Sequence, residues 1–160
     1  MKKIYFGSNL KMYKNIQDTT EYLKALADYT KDLSREEIEL FIIPSFTTLE
    51  SATRCFDRQY IKLGAQNMCW EDEGQFTGEV SPLMLKELGL DLVMIGHSER
   101  RHVFDEIPVL YGGSVNPGNA QELIVQPSID GLFTGRAAWQ ADRFNVLIRD
   151  SLSVIGSSVH

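Results

Sequence analysis

The segment 92–101 combines a strand-like run with side chains that could do acid–base chemistry. Its sequence is LVMIGHSERR, in which an apolar run ends at Gly96 and is followed at once by His97, Ser98 and Glu99. The length and β-branched content of the run predict a strand buried on both faces, and Gly96 permits a turn. Ser98 and Glu99 are typical of a helix start. His97 is therefore expected at the carboxyl end of a strand, facing a helix N-terminus, where α/β folds place their chemistry.

The spacing of His97 by itself fits a capping or structurally hydrogen-bonded histidine equally well. A catalytic histidine would need further polar side chains from other strand ends.

Strand-like and helix-like segments alternate along the chain. Apolar runs typical of strands occupy residues 4–7, 38–43, 61–66, 92–95, 109–113 and 131–135. Helical spacing and capping signals predict helices over residues 18–31, 45–55, 82–89, 116–124 and 142–155, with Ser45 and Ser81 as N-caps. This alternation predicts a single α/β domain over residues 1–160, built on a parallel sheet.

Composition limits the classes of partner and compartment. Hydrophobic residues make up 43% of the 160 residues, enough for a core, and the net charge of −6 argues against a general nucleic-acid binder. No segment approaches the roughly 20 apolar residues of a membrane span, and no signal peptide is recognisable. Cys55 and Cys69 form no metal-binding pattern and fit a reducing setting. We therefore expect a cytoplasmic protein with no membrane span and no metal site.

Two glycine-bearing loops at strand ends could form an anion site. Gly112, Gly113 and Ser114 follow one predicted strand, and residues 131–135 form another glycine-bounded run. Glycines at such positions let backbone N–H groups point at an anion. Either loop alone would be interpreted as a tight turn, but the two together favour a phosphate-binding site.

Four short motifs resemble those of the triosephosphate isomerases, in the same order. They are NLKM at 9–12, GQFTGE at 74–79, IGHSERR at 95–101 and YGGSVNP at 111–117. The resemblance covers nearly the whole chain. It implies a (β/α) barrel of the triosephosphate isomerase type with six of the eight strands present. It also implies an aldose–ketose isomerase that interconverts dihydroxyacetone phosphate and glyceraldehyde 3-phosphate in glycolysis and gluconeogenesis, without a cofactor.

The resemblance gives roles to four residues. His97 matches the neutral imidazole that polarises the substrate carbonyl, in a family that is itself a standard example of such tuning. Lys11 matches the cation that stabilises the developing oxyanion, and Asn9 matches a residue that orients the substrate. Glu99 matches the acid beside the histidine and is expected near Lys11. By residue type alone, Lys11 is a solvated loop charge and Glu99 is a helix first-turn acid.

The resemblance also places the phosphate of a small phosphorylated sugar on Gly113, Ser114 and Gly135. The family usually has a glycine where Arg136 stands, and an arginine there adds a fixed cation that could contact the phosphate or a longer substrate. The alternative substrate is therefore a four-carbon sugar phosphate.

The loop that carries Phe76 and Thr77 resembles the family's dimer loop, which inserts into a neighbouring subunit. A loop tip flanked by glycines is usually only a mobile turn. The apolar ring of Phe76 would favour burial against a partner, so we expect a homodimer.

One block of the family is missing near residues 105–108. The family's general base lies in a Glu-Pro-Val-Trp stretch that precedes a lid, and this sequence contains no Glu-Pro dipeptide. The chain is then an isomerase whose written sequence omits a block, a non-catalytic sugar-phosphate-binding fragment, or a fragment without a stable barrel. Strand number is linked to barrel diameter and tilt, so we expect an open side and a chain break near Glu106 and Ile107.

Overall fold

The computed structural model describes residues 3–97, 99–100, 116–124 and 131–156. The strands in these ranges are β1 (Ile4–Asn9), β2 (Ile38–Ile43), β3 (Lys62–Ala65), β4 (Leu92–Val93) and β5 (Gly131–Thr134). The helices are α1 (Ile16–Tyr29), α2 (Leu49–Arg54), α3 (Pro82–Glu87), α4 (Ala120–Ile124) and α5 (Ala141–Gly156). Short 3₁₀ turns at Phe46–Thr48 and Arg136–Ala138 precede α2 and α5. We call the second of these the Arg136 turn.

The five described strands form one sheet in the order β4-β3-β2-β1-β5. All four neighbouring pairs are parallel, and β1 pairs with β2 over its full length. Parallel pairing brings the carboxyl ends of the five described strands to one edge of the sheet, where Asn9, Lys11 and His97 lie. The predicted parallel α/β fold is confirmed.

The core lies between one face of the sheet and the helices. Alternate strand residues such as Phe6, Leu40 and Leu63 are fully buried on this face. Leu23 and Leu26, from α1, pack against the same cluster. Burial of each such side chain contributes on the order of 1.5–3 kcal/mol, so α1 is held mainly by its apolar stripe.

Capping signals explain where the helices begin. Ser81 caps α3 as predicted, since its Oγ accepts a hydrogen bond from the N–H of Leu83 at 3.0 Å. α1 begins at Ile16, two residues before the predicted start, because Asn15 Oδ1 accepts from the N–H of Asp18 at 2.9 Å. The prediction that Ser45 caps a helix was wrong: its side chain makes no capping bond, and a 3₁₀ turn intervenes.

The strand that carries the histidine motif is shorter than predicted. β4 contains only Leu92 and Val93, and Gly96 then turns the chain with a φ of 69°. A side chain at this φ would be strained, which explains the glycine. The predicted strand 109–113 and the predicted break near residues 106–107 lie outside the described residues.

Asp91 joins β3 to β4 at their amino ends. Its Oδ2 accepts from the N–H of Leu63 at 2.9 Å, and its carboxylate pairs with Lys62 at 3.1 Å and with Arg58. Desolvation disfavours the charged form, but the hydrogen bonds from Leu63, Lys62 and Arg58 outweigh it and hold the pKa of Asp91 below its usual range. This cluster fixes the amino edge of the sheet, opposite the edge where the motif residues lie.

Gly7 provides a test of the packing on the other face of the sheet. A Cβ at Gly7 would lie 1.9 Å from Cζ of Phe41 on the neighbouring strand β2. We expect Gly7→Ala to lower the free energy of unfolding by about 1–3 kcal/mol, through overpacking. Urea denaturation followed by circular dichroism measures this loss. Adding Phe41→Leu should restore part of the loss, whereas additive destabilisation by the two changes would show that the Phe41 ring is not the obstacle.

Candidate active site

Asn9 and Lys11 occupy the carboxyl end of β1. Asn9 is the last residue of the strand and is 5% exposed, and its Oδ1 accepts from the backbone N–H of Lys11 at 2.8 Å. Lys11 has a φ of 55°, in the left-handed region that residues with a Cβ rarely adopt. Such a conformation costs on the order of 1–3 kcal/mol, so surrounding contacts must hold it.

Gln66 supplies one of these contacts and was missed by the sequence reasoning. Its Nε2 donates to Asn9 Oδ1 at 3.1 Å and to the backbone carbonyl of Lys11 at 2.8 Å. Gln66 directly follows β3, so it lies at the same carboxyl edge of the sheet. A search for amide side chains just after each predicted strand would have found it.

The side chain of Lys11 reaches across the strand ends to Glu99. Lys11 Nζ donates to Glu99 Oε1, and the two side chains are 24% and 51% exposed. Glu99 and Arg100 are helical residues that follow the His97 segment. The predicted proximity of Glu99 and Lys11 is thus found in the structure.

His97 faces the start of this helix. The backbone N–H of Glu99 donates to His97 Nδ1 at 3.2 Å, which requires a lone pair on that nitrogen. Glu99 Oε2 also lies 3.5 Å from Nδ1, an arrangement that would favour a protonated ring. The Glu99 carboxylate is already engaged by Lys11, which leaves the backbone hydrogen bond as the contact that favours a neutral ring. A neutral ring that accepts this bond at Nδ1 carries its proton on Nε2, where it can act as a hydrogen-bond donor.

Gly135 and Arg136 lie beside the loop between β1 and α1, residues 10–15, which we call the Lys11 loop. β5 pairs with β1 so that Thr134 is opposite Ser8, which brings Gly135 to the same edge as Asn9, one strand spacing of about 4.8 Å away. Arg136 is exposed and opens the Arg136 turn. The structure therefore brings together the predicted oxyanion residues and one half of the predicted phosphate site. Gly113 and Ser114, the other half, lie outside the described residues.

The loop with Phe76 and Thr77 is exposed as predicted. The Phe76 ring meets the Trp70 ring edge-on at 5.6 Å between centroids, and Trp70 is 79% exposed. Met12 and Tyr13, next to Lys11, are also exposed, at 94% and 64%. The loop 71–79 and the Lys11 loop thus both present apolar side chains to solvent.

The residues that the structure describes contain neither a metal-ligand cluster nor a membrane-spanning helix. No group of three or more His, Cys, Asp or Glu side chains in that part of the chain could hold a metal ion. No helix there is long and apolar enough to cross a membrane. Cys55 and Cys69 are both free thiols.

A known protein family matches most of this chain. The model of the triosephosphate isomerase family matches residues 4–107 and 104–151. L-erythrulose-1-phosphate isomerase of Rhizobium etli is 31% identical over 256 aligned positions, which cover 97% of this chain and 95% of that protein. Triosephosphate isomerase of Dictyoglomus turgidum is 42% identical over 124 positions, covering 78% of this chain and 49% of that protein.

A solved structure shows the same fold. The crystal structure of triosephosphate isomerase from Bartonella henselae superimposes with a TM-score of 0.83 at 23% identity. The match covers 94% of this chain and 99% of that one. The parallel sheet described above is therefore part of a barrel of the triosephosphate isomerase type, as predicted.

The tautomer of His97 can be tested directly. We expect a neutral ring with its proton on Nε2 at neutral pH, because the N–H of Glu99 occupies Nδ1. Long-range ¹H–¹⁵N correlation spectra of the imidazole ring distinguish the two tautomers from the cation. Two equivalent, protonated nitrogens at pH 7 would contradict this assignment. His160, in the C-terminal tail of the sequence, serves as the comparison histidine in the same spectra.

Proposed function

Since the chain belongs to the triosephosphate isomerase family, we propose that its substrate is a short sugar phosphate and that a four-carbon ketose phosphate is preferred over a triose phosphate. The proposal places the carbonyl end of the substrate at Asn9, Lys11 and His97. The phosphate end lies at Gly135 and Arg136.

Arg136 is the observation that carries this choice of substrate. Its side chain is exposed beside Gly135, one strand away from Asn9, so its guanidinium adds a cation at the phosphate end of the site. A planar guanidinium can bind phosphate oxygens in pairs, or a hydroxyl of a longer sugar. The L-erythrulose-1-phosphate isomerase of Rhizobium etli matches nearly the whole chain, which also supports a four-carbon substrate.

A triose phosphate is the second candidate. The triosephosphate isomerase of Dictyoglomus turgidum has higher identity than the erythrulose-phosphate relative, although over a shorter stretch. The residues at the carbonyl end serve either substrate, because both present a carbonyl next to a hydroxyl-bearing carbon. The phosphate end must therefore decide between them.

The described residues can bind the substrate and polarise its carbonyl. His97 Nε2–H donates to the carbonyl oxygen in this proposal, and Lys11 Nζ stabilises the negative charge that develops on it. The Glu99 carboxylate contacts both side chains and holds Lys11 over the strand ends. Preorganised donors of this kind act at the developing oxyanion without needing to move.

Abstraction of the carbon-bound proton needs a further base. Glu99 is poorly suited, because its Oε1 is engaged by Lys11. The family model matches in two segments that meet at residues 104–107, and the alignment with the Rhizobium etli relative is 256 positions long against 160 residues here. Both facts support the proposal that this barrel domain lacks a block near residues 105–108. We therefore propose that the chain as written binds substrate but isomerises it slowly.

Substrate preference is tested by binding. Isothermal titration of the full chain with L-erythrulose 1-phosphate and with dihydroxyacetone phosphate gives two dissociation constants. We expect the four-carbon ligand to bind about tenfold more tightly, near 1.4 kcal/mol, and Arg136→Gly to abolish this ratio. Arg143→Ala, at an exposed arginine of α5, is the matched control and should leave the ratio unchanged. Equal affinities in the unsubstituted chain would contradict the preference.

Incubation with the same ligands in deuterated buffer measures isomerisation and proton abstraction. A missing base should lower the rate of isomerisation and of deuterium incorporation by about 10²–10⁴ relative to the Rhizobium etli relative measured in parallel. Proton NMR follows both processes. A rate equal to that of the relative would show that this chain carries a functional base.

We also propose a homodimer, formed by the loop 71–79 and the Lys11 loop. Two exposed apolar pairs support it, Met12 with Tyr13 and Trp70 with Phe76, because exposed apolar patches on a monomer surface mark interaction sites. Sedimentation velocity should give a dimer, and Phe76→Glu should shift it towards monomer. Met84→Glu, at a 62% exposed site on α3, is the control. A monomer at high protein concentration would rule out this interface.

A cytoplasmic location is likewise a proposal. The free thiols of Cys55 and Cys69 support it, since reducing compartments keep cysteines unpaired.

A further inference from the structure

Tyr22 ties the outer helix α1 to the Arg136 turn. Its hydroxyl donates to the backbone carbonyl of Ala138, the last residue of that turn, at 2.7 Å. Tyr22 is 5% exposed and Ala138 is fully buried, so the bond is shielded from water. Burial also raises the pKa of the Tyr22 phenol, so that it stays a protonated donor. This hydrogen bond connects elements that are 116 residues apart in the sequence.

A second contact joins the turn to the Lys11 loop. The rings of Tyr13 and Trp139 lie 4.0 Å apart between centroids, with 39° between their planes. Tyr13 is two residues beyond Lys11, and Trp139 directly follows the Arg136 turn. This tilted ring contact therefore links the loop that carries Lys11 to the loop that carries Gly135 and Arg136.

The Arg136 turn has few internal contacts of its own. Within it, the N–H of Ala138 donates to Gly135 at 3.0 Å and the N–H of Trp139 donates to Arg136 at 3.3 Å. A single 3₁₀ turn with two such bonds has marginal stability in isolation, since i→i+3 geometry is poor. Binding a phosphate requires that the groups contacting it are already in place, because ordering them on binding reduces the affinity.

We propose that Tyr22 and Tyr13 are positioning residues for the phosphate end of the site. Tyr22 anchors the Arg136 turn through its hydrogen bond to the Ala138 carbonyl. Tyr13 holds the turn close to the Lys11 loop through its contact with the Trp139 ring. The inference rests on the proposed function, because it assumes that Gly135 and Arg136 contact the substrate phosphate. Neither tyrosine contacts substrate in this arrangement.

The Tyr22 hydrogen bond is tested with Tyr22→Phe, which keeps the ring and removes only the donor. The dissociation constants of inorganic phosphate and L-erythrulose 1-phosphate should both rise about fivefold, the effect of one lost intramolecular hydrogen bond. Ser151→Ala is the matched control: its buried hydroxyl also donates to a backbone carbonyl, that of Leu147 at 2.8 Å, but within α5. Ser151→Ala should lower the melting temperature without changing either dissociation constant.

The ring contact is tested with a pair of variants at Tyr13. Tyr13→Leu removes the ring contact and should weaken binding of both ligands severalfold. Tyr13→Phe keeps the ring and should bind both ligands as tightly as the unsubstituted chain. Hydrogen exchange of the Ala138 and Trp139 amides measures the stability of the Arg136 turn in the absence of ligand. Exchange there should be faster in Tyr22→Phe and Tyr13→Leu than in the unsubstituted chain, and unchanged in Ser151→Ala.

The outcomes separate the inference from the proposed function. If the unsubstituted chain binds neither phosphate ligand, both the proposed function and this inference are overturned. If it binds both and the tyrosine variants bind equally well, only the positioning role is overturned. If Ser151→Ala loses as much affinity as Tyr22→Phe, the Tyr22 effect is a general loss of stability. That outcome also overturns the inference.

Discussion

The contact between Lys11 and Glu99 is the constraint on which the rest of the site depends. Lys11 follows β1 and Glu99 follows β4, and two strands separate these elements in the sheet. The ion pair therefore spans the strand ends rather than joining neighbours. Because Glu99 also donates its backbone N–H to His97, the same residue contacts both the lysine and the imidazole. Displacement of Glu99 would disturb both groups at once.

The backbone at Lys11 shows how this geometry is held. A left-handed lysine is unfavourable by itself, and the amide groups of Asn9 and Gln66 offset the strain by binding its N–H and its carbonyl. Each such hydrogen bond contributes about 1 kcal/mol, comparable to the cost of the conformation. Asn9 is the last residue of β1 and Gln66 directly follows β3, so these two strands hold the strained conformation. The register between β1 and β3 is set by the pairing of each strand with β2.

The amino and carboxyl edges of the sheet differ in how their charged side chains are paired. At the amino edge, Asp91 satisfies Arg58, Lys62 and the backbone of Leu63, and its contacts serve stability. At the carboxyl edge, Lys11 is paired with Glu99, and exposed Arg136 near the end of β5 adds a cation that suits an anionic ligand. The protein carries a net charge of −6, so this local cation reflects placement and not composition.

Local signals in the sequence determined most of the elements and the residue types at their ends. Apolar runs, caps such as Ser81 and the glycine at Gly96 predicted the strands and turns, because these depend on a few neighbouring residues. The motif resemblance supplied the roles of Lys11 and His97. Only the tertiary structure decided that β5 lies beside β1, that Gln66 supports Lys11 and that Tyr22 reaches Ala138. These contacts join residues 55 to 126 positions apart, and no local pattern specifies them because they arise from the pairing and packing of whole elements.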